Sequence, residues 1–208
     1  MFNDHHNEIH QGKLKGKKIA ILATDGFEES ELFEPKAALE KAGAEVQIVS
    51  IKTGSIKAWN KTDWGQSINV DALVSEVHAS DYDALVLPGG VMNPDHLLQD
   101  EDAIQFAMQF MVSGKPIGAI CHGPWLLVET GILYGRKVTS WPSIKTDLLN
   151  AGAKWFDQEV VVDQGLITSR KPADIPAFCE KLIEEIVEGR HSPFHRRPLI
   201  RHENAIMT

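Results

Sequence analysis

Cys121 stands in the segment Gly118-Ala119-Ile120-Cys121-His122-Gly123-Pro124, where a short apolar run gives way to small residues and a proline. This pattern suits a nucleophile elbow, a sharp strand-to-helix turn that lifts a side chain clear of the sheet edge. Such a turn needs small residues two places before and after the nucleophile, and Ala119 and Gly123 supply them. A helix starting near Pro124 would add partial positive charge beside the sulfur and favour thiolate over thiol. A buried cysteine that merely packs is the commoner fate of a free thiol, and the elbow signature argues against it here.

A thiolate that attacks a carbonyl needs a home for the developing oxyanion and a group to move protons. Pro88-Gly89-Gly90 follows an apolar run, and its backbone amides are unshielded by side chains. The amide of Gly90, together with that of His122, can form an oxyanion hole. A glycine pair by itself more often marks only a tight turn, so its place at a strand end beside the elbow is what gives it weight. Papain-like and glutamine-amidotransferase-like enzymes take their base from a histidine well downstream, but no histidine lies between Gly123 and Arg190. His122, His96 and His78 are the candidates, and an adjacent Cys121-His122 pair is the economical choice, against the alternative that His122 only caps the following helix.

The elements that must position these residues alternate. Lys18–Ala23, Glu45–Ser50, Asp83–Leu87 and Pro116–Ile120 are short apolar runs suited to buried parallel strands. Helices are expected over about 30–42, 100–113, 124–130, 142–151 and 173–188. Pro35 implies either a separate first turn or a helix that begins there, and Ala103, Phe106, Ala107, Phe110 and Met111 form the buried face of the second helix. Residues 55–70 are expected to form a hairpin, with further strands near 137–140, 159–162 and 166–169. Strand, loop and helix in repetition predict an α/β fold with a mostly parallel sheet covered on both faces, and ligands then bind beyond the carboxyl ends of the strands. The expected organisation is an N-terminal arm over 1–16, one domain over 17–189 and a tail over 190–208 rich in Pro, Arg and His.

Composition narrows the function further. The 208 residues are 43% hydrophobic and 24% charged, enough for one well-filled core. A formal net charge of −8 disfavours nucleic acid and anionic lipid as partners. Only Cys121 and Cys179 are present, without CxxC or other metal-ligand spacing, so neither a disulfide scaffold nor a metal site is expected, and the scattered histidines at 5, 6, 10, 191, 195 and 202 receive no role. The polar start lacks the apolar stretch of a signal peptide and no run approaches a membrane span, which points to a reducing cytoplasm. Cys179, in the last helix, is expected to pack.

From about Lys17 to Glu188 the chain resembles the PfpI family, within the DJ-one/PfpI superfamily of class I glutamine-amidotransferase-like folds. The likeness rests on Asp25-Gly26-Phe27-Glu28-Glu29 with Glu31-Leu32, on Asp83–Gly90, on Ala119–Pro124 and on Asn150-Ala151-Gly152-Ala153. It continues through Asp157–Asp163, Thr168-Ser169-Arg170 and Pro172-Ala173-Asp174. The resemblance implies a flavodoxin-like three-layer α/β/α sandwich, no cofactor, and a glutamate beside the cysteine, placed at Glu28. A protonated carboxylic acid there would donate to the thiolate. It also implies a carboxylate from a neighbouring subunit that orients the histidine, placed at Asp95, and hence a homo-oligomer, a dimer or a hexamer assembled from dimers, with a shared site.

Members of the superfamily act as peptidases or amidases, glyoxalases, deglycases, redox sensors and chaperones. The Cys121-His122-Asp95 set puts a PfpI-type cysteine hydrolase first, acting on a peptide or a small carbonyl in stress response. A glutathione-independent glyoxalase or deglycase working on methylglyoxal or its early adducts is the alternative, and a small closed pocket would favour it over an open groove. A sensor or chaperone with an oxidisable Cys121 is the third reading.

Overall fold

The computed structural model describes residues 11–191. In chain order the elements are β1 (Lys18–Leu22), β2 (Phe27–Glu28), α1 (Glu29–Lys41), β3 (Glu45–Ser50), β4 (Ser55–Asn60), β5 (Asp63–Asn69), β6 (Ala72–Leu73) and β7 (Ala84–Leu87). They continue with α2 (Met92–Leu97), α3 (Glu101–Val112), β8 (Ile117–Ile120), α4 (Leu126–Glu129), β9 (Lys137–Val138), α5 (Lys145–Asn150), β10 (Lys154–Trp155), β11 (Val160–Asp163), β12 (Leu166–Ser169) and α6 (Ile175–Glu188).

Seven strands form the central sheet in the order β11-β12-β8-β7-β1-β3-β6. All neighbours are parallel except β11 and β12, which pair as a hairpin with Val161 opposite Thr168. β1, β7 and β8 lie side by side at its centre, with Ile19 opposite Ala84 and Leu85 opposite Ile117. Their side chains alternate between two cores because successive residues of a strand face opposite ways. Ala20, Leu22, Leu85, Leu87, Ile117 and Ala119 pack under α3 and α4. Ile19, Ile21, Ala84, Val86 and Ile120 pack against Leu32, Phe178 and Leu182 of α1 and α6. Burial of each large aliphatic or aromatic side chain contributes about 1.5–3 kcal/mol, so a sheet covered on both faces supports a two-sided site at its edge. Gly118 lets α6 approach, since a Cβ there would come within 2.8 Å of the Phe178 ring.

The expected α/β sandwich is the fold observed. α3 starts one residue after Asp100, whose side chain caps it by accepting from the Ala103 amide at 2.9 Å, and its five expected inward residues are all buried. Four expectations change. α1 runs through Pro35, which removes the donor to the Glu31 carbonyl, while the buried side chains of Leu32, Pro35 and Leu39 anchor the helix on both sides of that gap. The helix after the elbow is a 3₁₀ turn over Gly123–Trp125 followed by only four α-helical residues. Residues 93–95 lie in the short helix α2 rather than in a turn. Finally, the packed chain begins before residue 17: Leu14 is fully buried and its amide donates to the Ala42 carbonyl at 2.9 Å. Residues 192–208 of the expected tail and 1–10 of the expected arm lie outside the described residues.

Candidate active site

Cys121 directly follows β8 and adopts φ +62°, a conformation a side-chain-bearing residue rarely takes. Its surroundings over-determine that strain. The Cys121 amide donates to the Ser169 carbonyl on β12 at 3.0 Å, and the Cys121 carbonyl accepts from the Trp141 amide at 2.9 Å. Gly123 completes the turn, for a Cβ there would sit 2.2 Å from the Leu87 carbonyl oxygen. The elbow expected from the sequence is therefore present, with Cys121 only 8% exposed.

Two loops close on that sulfur. The amides of His122 and Gly90 both donate towards it, which stabilises negative charge there. Gly90 reaches this position at φ +79°, and the loop is fastened by buried Asn93, which accepts from the Thr24 amide at 2.7 Å and donates to the Pro88 carbonyl at 2.9 Å. The Glu31 side chain, fully buried on the first turn of α1, lies against both the thiol and the glycine loop; its Oε2 accepts from the Gly89 amide at 2.8 Å. Burial raises the Glu31 carboxyl to about 8, with the nearby charge of Glu28 adding to the shift and the bonds from Gly89 and Cys121 opposing it.

The Cys121 thiol is pushed well up, first by burial and then by the negative charge and hydrogen bond of Glu31, with the two amides pulling the other way. A short 3₁₀ turn in place of a full helix gives little dipole to offset this, so the expected thiolate stabilisation by a helix start does not apply. What governs the sulfur is where the Glu31 proton sits. A neutral Glu31 can donate to a thiolate, while an ionised one repels it.

His122 follows in sequence and in space. Its Nδ1 lies 3.3 Å from Cys121 Sγ, and its Nε2 lies 2.9 Å from Ser143 Oγ. The ring sits 6.2 Å from that of Trp141, centroid to centroid, and burial lowers the histidine's pKa, which keeps the imidazole neutral and able to accept a proton. The arrangement brings together a thiol, a neutral imidazole, a buried carboxyl group and two aimed amides, groups of the kinds that addition to a carbonyl and proton transfer in the adduct require.

Residues 17–185 match the model of the DJ-1/PfpI family. The chain belongs to this family. It is 47% identical to General stress protein 18 of Bacillus subtilis over 78% of this chain and 94% of that protein. It is 45% identical to Protein/nucleic acid deglycase 2 of Escherichia coli over 78% and 93% of the two chains. Among solved structures, a two-domain Anabaena variabilis protein with DJ-1/ThiJ/PfpI-like and ferritin-like domains superposes with a TM-score of 0.77 at 36% identity. The match covers 82% of this chain and about half, 48%, of that longer one.

Within this DJ-1/PfpI site, Cys121, His122 and the amides of Gly90 and His122 converge. Glu28 does not take the place beside the sulfur. It lies on β2, paired with Trp59 of the hairpin, half-buried and accepting from Ser30 Oγ at 3.4 Å; burial raises its carboxyl. The carboxylate on the thiol is that of Glu31, three residues on. The signal was present in the sequence, because Glu31 shares one helix face with Pro35 and Leu39 at intervals of four. Asp95 lies exposed on α2, and within the chain the partner of His122 Nε2 is Ser143. Asn93 and Ser143 were not expected either, since their roles arise from contacts across 69 and 21 residues of sequence.

A cavity of about 590 Å³ lies elsewhere, between α1 and α6, and is lined by residues such as Glu34, Lys41, Cys179 and Ile183. Cys179 is partly buried there, its thiol pushed up to about 12 by burial and by Glu34, so it is far less available for chemistry at neutral pH than a free thiol. No helix of the described residues is long and apolar enough to cross a membrane.

Proposed function

We propose that this chain is a cysteine-dependent enzyme that takes small reactive carbonyls, a deglycase or glyoxalase acting on methylglyoxal or on its early adducts with amines and thiols. The observation that carries the reading is the enclosure of the chemistry. Cys121 and His122 are 8% and 9% exposed, which suits a three-carbon aldehyde better than an extended polypeptide. The relative named Protein/nucleic acid deglycase 2 supports the same choice.

In this reading Cys121 Sγ adds to the aldehyde carbon while its proton passes to His122 Nδ1, and the new oxyanion faces the amides of Gly90 and His122. His122 returns a proton as hydrogen moves from C1 to C2 of the adduct, giving a thioester. Water cleaves the thioester to lactate and restores the thiol. The sum is methylglyoxal plus water to lactate, with no oxidant or reductant consumed. Cysteine hydrolase chemistry is the second reading, favoured by the pair of amides at an elbow, which equally serves a tetrahedral acyl intermediate.

Cys121→Ala is expected to lower lactate release from methylglyoxal at least about 10³-fold, as loss of a covalent nucleophile does. Enzymatic lactate assay of the pure protein checks this. Unchanged release in the variant would refute a role for the sulfur, and cleavage of amide substrates without any lactate from methylglyoxal would leave the hydrolase.

A further inference from the structure

We infer that Ser143 is the residue that positions His122, fixing the tautomer in which Nδ1 is free to take the Cys121 proton. A neutral imidazole carries one hydrogen. If it sits on Nδ1, the ring cannot accept from the sulfur 3.3 Å away; if it sits on Nε2, it can. With the Cys121 thiol donating to Nδ1, the ring hydrogen belongs on Nε2, and Ser143 Oγ, 2.9 Å away, is placed to accept it and hold the ring in the second form.

The hydroxyl is held in place from below. Ser143 is the middle residue of the 3₁₀ turn Pro142–Ile144, which Pro142 opens with φ already set for it. Ile144 anchors the turn in the core at 3% exposure, and its amide donates to the Trp141 carbonyl at 3.3 Å. The Trp141 amide in turn donates to the Cys121 carbonyl. Nucleophile, base and Ser143 are thus one short hydrogen-bonded circuit within a single chain.

A serine differs from a carboxylate in this position. It orients the ring without adding negative charge, so it leaves the imidazole at the low proton affinity that burial imposes. It can also turn its own hydrogen outwards. A carboxylate from a second copy, as expected for Asp95, would then have to displace Ser143 from Nε2 or bond to it through Oγ.

The inference rests on the proposed use of Cys121 and His122, and its test has a readout separate from turnover. Nitrogen-15 NMR of the histidine rings in the full chain should show His122 of the wild type as the Nε2-H form. Ser143→Ala should give a mixture of tautomers and lower kcat about tenfold, with KM changed less than twofold. Ser143→Thr, which keeps the hydroxyl, should restore both. Ser143→Asp should move the acid limb of the kcat/KM profile to higher pH, because a carboxylate favours the imidazolium. A wild-type tautomer and an unchanged kcat in Ser143→Ala would overturn the inference. If instead Cys121→Ala retains lactate release, the proposed chemistry fails, while the tautomer measurement still decides on Ser143.

Discussion

Glu31→Ala is expected to lower kcat/KM for lactate formation from methylglyoxal by about 10²- to 10³-fold, whereas Glu28→Gln should change it less than about threefold. The size follows from what a positioned proton donor contributes, typically 10²–10⁴-fold. The asymmetry follows from the geometry, since Glu31 lies fully buried against the thiol and the Gly89 amide, while Glu28 accepts from Ser30 at the end of β2. Initial rates of the two variants decide it, and a collapse in Glu28→Gln with full activity in Glu31→Ala would reverse the assignment.

The same residue sets a pH signature. Glu31 titrates at about 8 in the fold against an ordinary 4.5, a raised value, so the folded chain holds a proton that the unfolded chain releases between those limits. Stability is therefore expected to fall as pH climbs from about 4.5 to 8 and to level beyond it. At about 1.36 kcal/mol for each pKa unit, the loss is of the order of several kcal/mol. Glu31→Gln carries no ionisable group and should flatten that part of the profile. Chemical unfolding of both proteins at pH 5, 7 and 9 measures it, and parallel profiles would show that Glu31 does not carry the shift.

The sequence was informative wherever one local pattern decided the outcome. The buried strand runs, the inward face of α3 and the small residues around Cys121 each follow from periodicity or short-range sterics, and each is found where expected. The carboxylate was misplaced by one turn because Glu28, Glu29 and Glu31 look alike in sequence, and what separates them is which helix face α1 turns to the core. Glu29 turns to the hairpin, where it accepts from the Gln66 amide at 2.6 Å and from Asn60 at 2.9 Å. Only Glu31 turns inward. Ser143 and Asn93 were beyond local reasoning altogether, because neither residue type at its position signals a partner until the sheet brings β8, α2 and the Pro142–Ile144 turn to one edge.

Gly89→Ala is expected to damage the site out of proportion to its single added methyl. A Cβ at residue 89 would lie 2.5 Å from Glu31 Oε2, 2.7 Å from Cys121 Cβ and 2.9 Å from the His122 amide nitrogen. At the surface the carboxylate would swing aside, but Glu31 is fully enclosed and the other two atoms belong to the strained elbow itself. Overpacking of this kind costs about 1–3 kcal/mol, or roughly 2–12 °C in Tm for a chain of this size. Activity should fall further than stability. The methyl pushes apart the acid, the sulfur and one of the two amides, and misplacement by about 1 Å is enough to cost 10²-fold in rate. Thermal unfolding and lactate release on the same sample separate the two effects. A variant with wild-type Tm and rate would mean that the Gly89 loop stands off from the elbow, and with it would go the contact between Glu31 and the nucleophile.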